Sequence, residues 1–273
     1  TETSFEKPLL QKCVFPIVVT RYNSERRVVR VLGESSKRPK SARIVMNLVK
    51  LKTVDYPESD GCPMGETDDH REAMVRVIEL LKNHYHGQKV YVSGDLLVYY
   101  EQGNAQKFVV PDAFVAKGIA QSRRRVYRLW VEGVVPQVVI ETTSKSTRIK
   151  DTTDKPQIFA KLGVCEYFLH DPTGEYLEPS LQGYRLHHGE YVAIEPDSQG
   201  GLFSKELGLV LRITEGELNF FDAKSNRRLL TNAESANFEA EARQVEAEAR
   251  QRAEAEVERL QAELARLQRP DHC

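Results

Sequence analysis

The segments KFVVPDAFVA (107–116) and VVIETTSKSTRIKDTTDK (138–155) decide how this chain reads. Each is rich in β-branched and aromatic residues, as strands are, and each delivers one carboxylate: Asp112 directly after a proline, and Glu141 at the close of Val138-Val139-Ile140. Pro111 removes a ladder donor, so Asp112 is expected at an edge or a bulge. A Pro-Asp turn alone would be ordinary. Glu141 is more telling, because a charge closing a buried type of strand is rarely left unpaired. Two acids on neighbouring strands can share a divalent cation, and a lysine such as Lys155 can steady the charge that builds on an attacked phosphate. The pattern predicts metal-dependent phosphodiester chemistry.

The rest of the chain frames this pair. Its 273 residues, 40% hydrophobic and 29% charged, suit one globular domain with appendages. A formal net charge of -1 argues against a protein that coats nucleic acid non-specifically, but it leaves room for a local basic groove. Cys13, Cys62, Cys165 and Cys273 are far apart and show no C-x-x-C spacing, so a reducing cytoplasm is expected rather than a disulfide framework or a zinc knuckle. No apolar run approaches the roughly 18 residues of a membrane span.

Three regions separate by composition. Residues 1–45, with RYNSERRVVRVLGESSKRPKSAR at 21–43, are basic and irregular, and are expected to be a disordered leader or an arm on a nucleic-acid backbone. Residues 46–230 carry the fold. TDDHREAMVRVIELLKNHYHG (67–87) predicts a helix with Thr67 as its cap, and KVYVSGDLLVYY (89–100) a strand interrupted near Ser93-Gly94. KFVVPDAFVA and PQVVIETT (136–143) predict two more strands, the latter buried on both faces. KPQIFAKLG (155–163) predicts a helix that Asp154 can cap, and VCEYFLHDP (164–172) a further buried strand. From Pro172 onward, short strands and Gly-rich turns predict a hairpin-rich extension beside the sheet. The fold class is α/β (α+β), a mixed sheet flanked by helices. Residues 233–269 lack Gly and Pro, and Phe238, Ala242, Val245, Ala249, Ala253, Val257, Leu260, Leu264 and Leu267 mark a heptad seam with one stutter. A coiled coil, most simply a homodimer, is expected there; the alternative is a single solvated helix.

The blocks YPESDGCPMGETDDH (56–70), VVPDAFV (109–115), VVIETTSKST (138–147), Asp151 four residues before Lys155, and LGVCEYFLHDP (162–172) resemble, in this order, those of the Uma-type (Uma-two) family of putative restriction endonucleases. That family lies within the PD-(D/E)XK nuclease superfamily. The resemblance runs from about Met46 to Asp222 and implies a restriction-endonuclease-like fold. It also implies Mg²⁺, with Mn²⁺ able to substitute, held by Asp112, Glu141 and the carbonyl of Thr142. A direct E-x-K would put the lysine at Thr143; the resemblance implies a lysine moved to the following helix, where Lys155 stands, with Lys145 as the second candidate. Glu66 and His70 are four apart and could share a helix face, and the resemblance places an acid and a histidine of this block near the metal. Read on their own residues, Glu66 could equally lie in a loop and His70 be an exposed first-turn residue.

The expectation is thus a Mg²⁺-dependent endonuclease acting on nucleic acid, with DNA the expected substrate. The rival is a catalytically silent nucleic-acid-binding or scaffold protein of the same fold, assembled through its C-terminal helix. Intact carboxylates facing a polyanion argue against that rival. Lys145, Arg148 and the cluster Arg123, Arg124, Arg125, Arg128 could touch phosphates, although such a cluster is more often a solvated face. Asp171, before Pro172, reads as a turn starter.

Overall fold

The structure, a computed structural model, describes residues 54–61 and 67–267. The basic segment 1–45 and Glu66 lie outside the described residues. The elements run α1 (Asp68–His84), β1 (Val90–Ser93), β2 (Val98–Tyr99), β3 (Phe108–Val109), β4 (Ala113–Lys117), β5 (Tyr127–Arg128), α2 (Leu129–Glu132), β6 (Val138–Thr142), α3 (Arg148–Thr152), α4 (Asp154–Leu162) and β7 (Glu166–His170). They continue through β8 (Leu181–His187), β9 (Glu190–Ala193), β10 (Leu202–Ser204), β11 (Leu209–Thr214), β12 (Glu217–Asp222) and α5 (Asn232–Leu267).

A six-stranded sheet in the order β1-β4-β6-β7-β8-β9 forms the centre. Only β6 and β7 run parallel, joined by the crossover through α3 and α4, and both are buried along their whole length. Side chains alternate across this sheet. Val138, Ile140 and Phe168 face Val77, Leu80 and Leu81 of α1, while Val139, Tyr167 and Leu169 face Phe159 of α4. Thr67 caps α1 as its sequence predicts, its hydroxyl accepting from the His70 N–H, with Asp68 and Asp69 in the first turn.

Two runs, one expected to be interrupted near Ser93-Gly94 and the other to carry an edge or bulge at Pro111-Asp112, are each split between two sheets. The first gives β1 to the central sheet and β2 to a small sheet of order β3-β2-β5; the second gives β3 to the small sheet and β4 to the centre. Both breaks fall at one level. The Asp95 N–H donates to the Pro111 carbonyl (2.9 Å), and Asp95 takes a left-handed φ of 47°. Pro111 is therefore not on an edge. It lies just before β4, an interior strand between β1 and β6, where its missing N–H costs nothing.

Two further expectations change. Asp154 does not cap α4: Thr153 occupies the N-cap without a side-chain bond, Asp154 is the first helical residue, and Pro156 falls in the first turn, where it is tolerated. The hairpin-rich extension is also divided. Strands β8 and β9 extend the central sheet itself, and only β10–β12 form a separate sheet, packed on α1. Among the described residues, no helix is long and apolar enough to cross a membrane.

Helix α5 starts from a reciprocal cap. The Glu234 N–H donates to the Thr231 hydroxyl (3.2 Å) while Glu234 Oε2 accepts from the Thr231 N–H (2.7 Å). Glu234 also pairs with Arg76 of α1 (3.0 Å) and with Arg228 (2.8 Å). Beyond this root the seam faces solvent, with Phe238, Val245, Val257, Leu260 and Leu264 all exposed. The Leu267 side chain lies outside the described residues.

Candidate active site

The parallel pair β6 and β7 presents Glu141 near its carboxyl end, on the face that α4 covers. By strand alternation Glu141 continues the side of Val139, so an apolar pattern carries a carboxylate into the core, where it is fully buried. Asp112 arrives from the break before β4. Its N–H donates to Glu141 Oε2 (3.1 Å), and its Oδ2 accepts from the Thr142 N–H (2.7 Å). The two acids are thus held together by backbone groups on adjacent strands, and the Pro111 break frees the Asp112 N–H for that task.

Lys155, near the start of α4, meets both buried acids. Its Nζ stands 2.9 Å from Glu141 Oε2 and 2.8 Å from Asp151 Oδ1. Asp151 on α3 is fully buried, and the Lys155 side chain is 17% exposed, so this ion pair is not a solvated one. From the other side, His70 Nε2 approaches Asp112 Oδ2 at 3.3 Å. The structure therefore brings together Asp112, Glu141, Thr142, Lys155 and His70. Lys145 stands exposed in the turn between β6 and α3.

Three carboxylates, Asp112, Glu141 and Asp151, surround one lysine. Burial pushes the Glu141 carboxyl well up; Lys155 opposes that, and the negative charges of Asp112 and Asp151 reinforce it. Burial likewise raises Asp151, against the pull of Lys155. Burial pulls the Lys155 ammonium down, but Glu141, Asp151 and Asp112 more than reverse that and hold it strongly cationic. Three carboxyl groups face one ammonium, and Glu141 Oε1 is buried without a hydrogen-bond partner. These residues fit a divalent cation. Among the described residues no group of three or more His, Cys, Asp or Glu side chains is placed to hold a metal ion by itself.

The sequence marks Asp151 only by its spacing to Lys155 and gives it no place in the site, and it does not single out His170 at all. The i,i+4 spacing of Asp151 and Lys155 was the available signal for the first. His170 ends β7 opposite Thr142, buried, with neither ring nitrogen partnered, and burial lowers its pKa to about 4. Asp171 starts a turn, accepting from the N–H groups of Thr173, Gly174, Tyr176 and Leu177. Most of the arginine cluster is engaged locally. Arg124 pairs with Glu132 (2.9 Å) and lies over the Tyr91 ring, Arg125 pairs with Glu58, and Arg128 lies over Tyr56.

A mixed sheet with one parallel pair, helices on both faces, and buried carboxylates meeting a lysine at its end define a restriction-endonuclease-like α/β protein. Residues 60–215, more than half of the chain, match the Uma2 family, described as "Putative restriction endonuclease", and the chain belongs to that family. Among solved structures it is similar to one described as a putative nuclease belonging to DUF820 from Anabaena variabilis. The identity is 14%, with 53% of this chain and 76% of that one covered, at a TM-score of 0.39. No curated protein matches.

Proposed function

We propose that this protein is a Mg²⁺-dependent endonuclease that hydrolyses phosphodiester bonds of DNA, with Mn²⁺ able to replace Mg²⁺. The observation that carries the reading is the buried, partnerless Glu141 Oε1 beside Asp112, in a cluster of three carboxyl groups around one lysine. Asp112, Glu141 and the carbonyl of Thr142 would hold the cation. Bound there, it supplies Lewis acidity toward a phosphoryl oxygen and the attacking water. Thr142 and His70 orient the Asp112 carboxylate through the contacts to its Oδ2. Lys155 presents its ammonium to the charge that gathers on the phosphate, and the surrounding acids keep that ammonium protonated throughout. Glu66 remains a candidate from the sequence, outside the described residues.

The silent-binder reading is the weaker one, because a cluster of buried acids repels a polyanion unless a cation intervenes. The exposed α5 seam supports assembly into a homodimer, an arrangement suited to cutting both strands of a duplex. The cytoplasm is the proposed setting, in keeping with the free thiol of Cys165. The proposed division of the chain is an N-terminal arm over 1–45, a nuclease domain over 46–230 and a helical tail over 233–269.

Incubation with single- and double-stranded DNA and RNA, with Mg²⁺, with Mn²⁺ and with chelator, tests the reading. Cleavage of DNA that chelator stops and either metal restores is the expected result. Cleavage that persists in chelator would remove the metal from the mechanism, and binding without cleavage would favour the silent reading.

A further inference from the structure

We propose that Asp151 is the positioning residue that keeps the Lys155 ammonium at the site when a divalent cation engages Glu141. The inference rests on the metal reading above and concerns what happens to the lysine under it. As the structure stands, Lys155 has two carboxylate partners at almost equal distance, Glu141 Oε2 at 2.9 Å and Asp151 Oδ1 at 2.8 Å. A cation on Glu141 takes over the first partner and repels the ammonium. Lysine has a long flexible stem, and this side chain is 17% exposed, so a route to water is open to it. Without a second anchor the ammonium would leave when it is needed.

Asp151 is built to be that anchor. Its carboxylate is fully buried, which is costly for an acid that does nothing further. Its backbone is fixed on both sides. The Tyr167 hydroxyl donates to the Asp151 carbonyl (2.8 Å), and the Asp151 N–H donates to the Thr147 carbonyl (2.9 Å). The hydroxyls of Thr152 and Thr153 close the turn by donating to the carbonyls of Arg148 (2.7 Å) and Ile149 (2.6 Å). The chain passes from α3 to α4 at Thr153, yet Asp151 and Lys155 keep the i,i+4 relation across that junction. Asp151 shares no described hydrogen bond with Asp112 or Glu141 and feels them only as like charges, so its bond is to Lys155. It acts through Lys155.

A double-mutant cycle on full-length protein tests this, with Mn²⁺ affinity measured by calorimetry and the fold followed by circular dichroism. In Asp151→Asn, Glu141 is the sole carboxylate left to the ammonium, so Lys155 competes with Mn²⁺ and affinity falls. Adding Lys155→Met should restore it, by a factor on the order of tenfold larger than Lys155→Met produces in wild type. Where cleavage is measurable, the double variant should be no slower than Lys155→Met alone. An equal factor in both backgrounds, as a direct ligand or a merely structural acid would give, overturns the proposal. A wild type that binds no Mn²⁺ overturns it as well. A protein that binds Mn²⁺ and shows the coupling but cuts no nucleic acid keeps the Asp151 role and loses the nuclease reading. Should Asp151→Asn not fold, the ¹⁵Nζ–H signal of Lys155 in wild type, assigned through Lys155→Met, decides the matter. It should persist when Mg²⁺ is added, and its disappearance would overturn the proposal.

Discussion

Gly94 lies directly against the peptide of Asp112: a Cβ at Gly94 would stand 1.8 Å from the Asp112 carbonyl oxygen and 2.7 Å from Ile78 Cδ1. The requirement is one of space, since nothing but hydrogen fits between the two backbones. Gly94→Ala should therefore displace the Asp112 segment from its present position beside Glu141. The expected result is a loss of about 1–3 kcal/mol in stability, as overpacking gives, together with a weakened Mn²⁺-induced rise in Tm. Thermal melts with and without Mn²⁺ measure both, and a variant that melts like wild type under each condition would show the contact to be pliant.

Asp112→Asn and Glu141→Gln should each abolish the stabilisation by Mg²⁺ or Mn²⁺ while leaving the fold intact, because each amide keeps nearly the shape of its acid. For wild type, a cation at a hundred times its Kd should contribute about 2.7 kcal/mol. Calorimetric titration of the three proteins decides the point. Equal binding by all three would place the cation elsewhere.

Lys155→Ala should lower cleavage by about a hundredfold or more, as the loss of a group acting on transition-state charge does, without weakening metal binding. Lys145→Ala, at an exposed turn, should change little. A comparison of kcat for the two variants separates them, and a dominant effect at Lys145 would shift the role to that residue.

His170 gives the fold a specific weakness to acid. Its pKa falls from an ordinary 6.5 to about 4, so the folded state takes up its proton later than the unfolded chain does. The stability this neutral ring contributes is complete above pH 6.5 and is lost as pH falls toward 4, a change on the order of 3 kcal/mol. Urea denaturation across that range should show the slope in wild type and a shallower one in His170→Gln. Identical slopes would mean that the ring keeps its ordinary pKa in the folded protein.

Removing the chain from Phe238 onward should leave a folded core that still binds Mn²⁺, since Glu234 and its partners are retained and no proposed ligand lies beyond them. It should also lower the oligomeric state, because Leu260 and Leu264 could each contribute roughly 1.5–3 kcal/mol when fully buried between helices. Light scattering on the two proteins provides the check. A full-length monomer at high micromolar concentration would leave α5 a solvated appendage.

What could be read from the sequence was chemistry lodged in an unexpected place. Glu141 stood out because it interrupts an apolar run, and Asp112 because proline precedes it. Asp151 stood out only by its spacing to Lys155 and not as part of the site, because an Asp and a Lys four apart on a polar segment look like any surface helix pair, whereas the folded chain buries the acid and ties its carbonyl to Tyr167. His170 was hidden by its setting in Glu166–His170, where every position is buried and the pattern gives no sign of a ring without partners. The interruption near Ser93-Gly94 was legible, but the change of sheet there and at Pro111 was not, because apolar residues continue on both sides while the pairing partner changes. Hydrophobic pattern reports burial, and it is blind to which sheet provides it.

The reciprocal Thr231–Glu234 cap, with Arg76 and Arg228 on the same carboxylate, gives α5 a fixed direction of departure from α1. From Asn232 to Leu260 a straight helix extends about 42 Å, longer than the roughly 34 Å of one turn of duplex DNA. Any partner that grips Leu260 and Leu264 would therefore be kept at a set stand-off from the sheet that carries Glu141. Two heads joined at their tips would then have a spacing set by the length of a helix rather than by any surface the heads share.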